Sequence, residues 1–165
     1  MFESESRLRE EVAGLLAGIR ERADARYVCV AEPSGVRFET AEPSGATWPS
    51  RQYLEPRLGG LFSIPASLAA GGPLEDVFAE WQSPAGTPED EFFLAFINGK
   101  IALVVVCPEA EPLRDELKKP IQALADRLFR LNAAWRVDER GRGLFLGRPR
   151  LDLVVIGRRA SSDYS

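Results

Sequence analysis

The residues of this chain that could carry chemistry are few and scattered. Cys29 and Cys107 lie 78 positions apart, inside the apolar runs Tyr27-Val28-Cys29-Val30 and Val104-Val105-Val106-Cys107. No CxxC and no second ligand cluster accompanies them, so two buried thiols packing as small hydrophobes are expected. A disulfide is the alternative if their strands are neighbours. Carboxylates cluster at Glu89-Asp90-Glu91 and at Glu109-Ala110-Glu111. Such pairs can hold a cation or do acid–base work. The first cluster falls in a predicted loop and the second at a predicted helix start, where the helix dipole favours acids. Solvated charge is therefore the expected role of both. Gly59-Gly60 and Gly71-Gly72 lack the remainder of a phosphate-binding loop. Histidine is absent from all 165 residues. That removes His-based triads, His metal ligands and a histidine pH switch. No GxSxG occurs either. A non-enzymatic chain with no cofactor and no metal is expected.

The main chemical signal is a charge asymmetry. Residues 136–159 hold seven arginines against Asp138, Glu139 and Asp152, whereas the first 135 residues hold 14 basic and 21 acidic side chains. Arg140, Arg142 and Arg148 are the candidate partner-binding residues, with an acidic protein surface as the matching chemistry. The same arginines could instead form the polar face of an edge hairpin, where charge keeps strands from aggregating. Nucleic acid is disfavoured. The whole chain carries a net −4, and Phe145 is the only aromatic residue within 136–159, too few for a stacking platform.

The elements that must position these groups can be read from periodicity. Leu8, Val12, Leu15, Leu16, Ile19 and Ala23 form one apolar stripe, predicting a helix over 4–24. Gly14 and Gly18 lie on one face of it and weaken it. Residues 27–31 and 36–40 predict a hairpin about Glu32-Pro33-Ser34-Gly35. Residues 47–60 read as irregular and 61–70 as a helix broken by Pro65. A strand is expected at 77–82. Two strands, 92–97 and 100–107, flank Asn98-Gly99, the preferred type I′ hairpin turn. The second is apolar almost throughout and should be central in a sheet. Leu113, Leu117, Ile121, Leu124 and Leu128 predict a helix over 110–132, kinked at Pro120 or split there in two. Beyond it, 135–138, 144–146 and 151–156 read as β segments. The longest apolar run, 101–107, is too short to span a membrane, and the N-terminal residues do not read as a secretory signal. A cytoplasmic protein is expected.

This order gives an α+β fold, an antiparallel sheet with long N- and C-terminal helices packed against it. The pattern resembles the Roadblock/longin-type family of profilin-like domains, which run α-β-β-α-β-β-β-α. The hairpin VCVAEPSGVRFETA is similar to that family's opening hairpin, with Glu32 and Gly35 at the places of its D-x-x-G-like turn. The run IALVVVCPEAEPLRDELKKPIQALADRL is similar to its last central strand and closing helix. The resemblance covers residues 4–132. It gives a Roadblock-like domain over 1–134 and an Arg-rich β-hairpin tail over 135–165. It departs from the family in having Glu-Pro at the turn, a middle segment interrupted by Pro65 and Gly71-Gly72, and the basic tail. The resemblance implies a homodimer, regulation of a Ras-like small GTPase and no chemistry of its own; for the dimer interface we take the outer face of the first helix and Val77, Ala79 and Trp81. GAF-type small-ligand sensors share the terminal helices and opening hairpin; they would need a concave pocket between the sheet and residues 50–75.

Overall fold

The computed structural model describes residues 4–40, 51–71, 90–137 and 149–157. The first helix, α1 (Glu5–Ala23), forms where its stripe predicts, burying Leu8, Val12, Leu16, Ile19 and Ala23. Ser4 caps it by accepting from the Arg7 N–H, and Asp24 ends it in the left-handed conformation at φ 51°. A Cβ added at Gly14 or Gly18 would meet nothing within 4 Å. Replacing either by alanine should therefore raise stability by up to about 1 kcal/mol. Urea unfolding of Gly14→Ala and Gly18→Ala checks this; a loss at either site would reveal a neighbour packed on that face.

Strands β1 (Tyr27–Glu32) and β2 (Gly35–Glu39) form the opening hairpin. Strands β3 (Glu91–Ile97) and β4 (Ile101–Cys107) form the second, with Asn98 and Gly99 at φ 56° and 69°, as a type I′ turn requires. A fifth strand, β5 (Leu151–Ile156), pairs with β3. The sheet is antiparallel with order β2-β1-β4-β3-β5. The fold is thus the expected α+β arrangement of an antiparallel sheet flanked by helices. The segment read as part of an appended tail supplies the strand beside β3. β3 is buried at six of seven positions, a pattern that suits a strand flanked on both sides.

The middle segment is helical but divided into short pieces, with breaks just ahead of Pro56 and Pro65, so the helix over 61–70 is interrupted near Pro65 as expected. α2 (Arg51–Leu54) runs into a 3₁₀ turn (Glu55–Arg57), then α3 (Leu58–Leu61) and α4 (Ile64–Ala70). Each proline sits in the first turn of its element, where its missing N–H has no intrahelical acceptor. The predicted 110–132 helix begins later and is split, as α5 (Leu113–Glu116) and α6 (Lys118–Leu131). Its break is at Leu117, three residues before Pro120, which lies in the first turn of α6. Strand was expected at 135–138, but Ala133–Arg136 is a 3₁₀ turn, because the Asn132 side chain accepts from the Ala134 N–H at 3.0 Å. The expected strands at 77–82 and 144–146 lie outside the described residues.

Side-chain alternation divides the core into two layers. Val28, Val30, Phe93, Leu103 and Val105 point to α1 and α6, packing on Val12, Leu16, Ile121 and Leu124. Tyr27, Cys29, Phe92, Phe96 and Val104 point to the other face, where Leu54, Leu58, Leu61 and Ile64 cover them. The space between sheet and residues 51–71 is thus filled by apolar side chains. Cys29 and Cys107 are free, buried and in opposite layers, so the sheet lies between them. Burial pushes both thiols up, Cys107 to about 12 with the Glu91 and Asp90 charges adding to it. Among the described residues no helix is long and apolar enough to cross a membrane.

Candidate functional site: an arginine-lined groove at the β2 edge

Of the carboxylates singled out from sequence, Asp90, Glu91 and Glu111 have structural partners, while Glu89 lies outside the described residues. Asp90 accepts from Arg26 Nη1 at 2.9 Å, Glu91 from the Ala110 N–H at 2.9 Å, and Glu111 pairs with Arg114. No group of three or more possible metal ligands occurs among the described residues. Arg140, Arg142 and Arg148 lie outside the described residues, as do Val77, Ala79 and Trp81. The outer face of α1 carries the exposed Ala13, Gly14, Ala17 and Gly18.

Three other arginines are brought together. A groove of about 460 Å³ runs beside β2, lined by Arg9 of α1, Arg37, Val36 and Phe38 of β2, Arg51 of α2, Leu131 at the end of α6, and Asn132 and Trp135 after it. The strand twist and the return of the chain at α2 put side chains from opposite sides of the sheet around one edge. No acidic side chain lines this groove among the described residues. A second concavity, about 600 Å³ between α1 and the end of β2, mixes Arg20 with Glu21, Asp24 and Glu39. It has no such single-sign lining.

The acids that balance the arginines stand behind them. Glu32, at the end of β1, accepts from Arg37 Nη2, from Ser34 Oγ at 2.8 Å and from Trp135 Nε1 at 3.2 Å. Glu39 accepts from Arg51 Nη2 at 2.8 Å and from the Tyr27 hydroxyl. Arg9 lies 3.8 Å from Glu5, with its guanidinium 5.5 Å from the centre of the Phe38 ring. Each carboxylate partner of Arg37 and Arg51 is therefore held by a second donor, which fixes where the guanidinium points.

Burial alone would push the Glu32 carboxyl up. The hydrogen bonds from Arg37, Ser34 and Trp135 and the Arg37 charge outweigh it and hold the carboxyl below its ordinary value near 4.5. A depressed folded value gives stability above the ordinary carboxylate range that is lost as pH falls through the folded value. Glu32→Gln should therefore flatten the acid limb of the stability curve below about pH 5. Urea midpoints measured down to pH 3 check this. Parallel wild-type and variant curves would place the acid sensitivity elsewhere.

The turn acid that the family resemblance picked out thus ties the hairpin to the segment after α6. Gly35 has its own constraint. Its φ is +152°, and an added Cβ would lie 2.9 Å from Glu55 Oε2, which also accepts from the Val36 N–H.

Sequence reading missed Arg9, Arg37, Arg51 and Trp135 as a set. Each falls on an ordinary polar position of its own element, and only the β1–β2 register and the direction of α2 bring them to one place. Comparisons of the chain with protein-family models, with curated proteins and with solved structures find no match.

Proposed function

We propose that this chain is a protein-interaction module that assembles as a homodimer, as its Roadblock-type resemblance implies, with a Ras-like small GTPase as the partner class. The observation that carries this reading is the contrast between the two edges of the sheet. Both faces are covered by helices, so the capacity to pair further lies at β2 and β5, the edges among the described residues. β2 is guarded. Its pairing with β1 shifts register between Val30 and Ala31, and the Glu55 side chain takes the Val36 N–H. β5 is regular through six pairs with β3. Arg150 and Asn98 exchange hydrogen bonds, which sets the alternation and turns the peptide groups of Leu151, Leu153 and Val155 away from β3. The side chains of the same three residues are only partly buried. Arg114 Nη1 covers the Leu153 carbonyl at 3.2 Å, a contact that pairing at this edge must displace, just as pairing at β2 would displace Glu55; the regular register of β5 is what sets the two edges apart. A two-fold copy of β5 would set Leu153 opposite Leu153 and Leu151 opposite Val155, continuing the sheet across the interface.

Light scattering and native mass spectrometry of the full chain over a range of concentrations test this. A dimer is expected, with amide exchange at Leu151, Leu153 and Val155 slowing as concentration rises. A monomer at every concentration overturns the reading. Titration of the dimer with a Ras-like GTPase in its GDP and GTP forms tests the partner class.

A further inference from the structure

We infer that the groove beside β2 binds a small phosphate-bearing molecule, gripped by Arg9, Arg37 and Arg51 and laid against Phe38 and Trp135. This does not rest on the dimer reading, because the groove lies at the opposite edge of the sheet from β5. Its volume, about 460 Å³, is in the range of small-molecule sites. All the charged side chains that line it among the described residues are arginines, and they come from three separate elements.

The donors are available and oriented. Arg37 and Arg51 each meet their glutamate through Nη2, so among the described residues Nε and Nη1 of both remain for another acceptor. Tyr27 and Trp135 anchor those glutamates, so the guanidiniums are held before any ligand arrives. Rigid planar forks of this kind match the several oxygens of a phosphate better than a point charge does. Glu5, Glu32 and Glu39 pair with the three arginines one for one, so the grip on an anion comes from directed guanidinium N–H donors rather than from a net positive charge. The Phe38 and Trp135 rings add a small apolar border to a mostly polar wall, enough to touch the organic part of a phosphate ester. An extended acidic peptide fits less well. It would need to pair with the β2 backbone, where the register shift and the Glu55 contact interrupt the ladder.

The test is calorimetric titration of the full chain with ATP, pyrophosphate and inorganic phosphate as separate probes. Saturable binding of at least one probe is expected, weakened tenfold or more in both Arg37→Gln and Arg51→Gln. Arg22→Gln, on the exposed end of α1, should leave it unchanged. Tighter binding of ATP than of pyrophosphate would show that the rings are read as well as the phosphates. Equal binding of the two would make the phosphate group alone the ligand. Absence of saturable binding by all three probes overturns the proposal. So does binding that is equal in the wild type and in both groove variants. Arg51→Gln leaves the β1–β2 turn intact, so it stands as the test if Arg37→Gln fails to give a native circular dichroism spectrum. A monomer that binds ATP in this way would sink the dimer reading and leave this one standing.

Discussion

Asn98→Ala is expected to cost about 3 kcal/mol of folding stability, more than its place in a two-residue turn would suggest. Asn98 is fully buried. Its Nδ2 donates to the Trp135 carbonyl at 2.9 Å, and its Oδ1 accepts from the Arg150 N–H at 2.8 Å. Its own N–H donates to the Arg150 carbonyl at 2.8 Å. One side chain therefore ties the β3–β4 turn to the end of the helical layer and to the start of β5. Alanine would remove both side-chain bonds at partly buried positions, at about 1–3 kcal/mol for each. Alanine also lacks the short polar side chain whose local hydrogen bonding lets asparagine adopt φ 56°, adding about 1 kcal/mol. Asn98→Gly separates the two effects, since glycine keeps the backbone freedom and loses only the side-chain bonds. The gap between the variants should be about 1 kcal/mol. Urea unfolding gives both numbers, and amide exchange shows where the loss falls. Faster exchange across β5 is expected in both variants. Unchanged β5 protection would mean that the strand is held by its ladder with β3 alone.

What was legible in the sequence follows from how far each signal reaches. The stripe of α1 and the Asn-Gly turn are local, with their cause within a few residues, and both stand where periodicity and turn chemistry put them. The apolar run 101–107 had to be central, and β4 lies between β1 and β3. The second role of Asn98 was not legible, because its side-chain partners lie 37 and 52 residues away. The same holds for the groove. Arg9, Arg37 and Arg51 become neighbours through strand order and helix direction, and neither is encoded in the residues around them. The helical turns over 51–60, read as irregular, were obscured for another reason. Proline reads as a breaker, yet in the first turn it costs no hydrogen bond, and sequence alone does not say which turn it occupies.

Phe96→Ala should lower stability by about 3–5 kcal/mol, the usual range for deleting a fully buried phenyl ring. A drop of at least 6 °C in melting temperature, on the order of 2 °C for each kcal/mol in a chain of this size, is the direct readout. Phe96 has no exposed surface and stands opposite Ala102 on β4 and Asp152 on β5. The small and charged neighbours cannot fill the void, and a strand packed on both faces cannot collapse into it. The ring also meets Phe62 edge-to-face, with centroids 5.9 Å apart and planes at 79°. Phe62 belongs to the turn between α3 and α4, so this contact joins the sheet to the helical layer over 51–71. Such pairs contribute about 1 kcal/mol beyond their buried area. Phe96→Leu, which keeps most of the volume and loses the ring geometry, should cost less, about 1.5 kcal/mol. Both variants should show amide exchange rising first over residues 51–71, while protection of β4 falls only with global unfolding. If Phe96→Ala loosens β4 as early as the helices, then Leu54, Leu58 and Leu61 hold that layer without the aromatic contact. The layer and the sheet would then unfold as one cooperative unit.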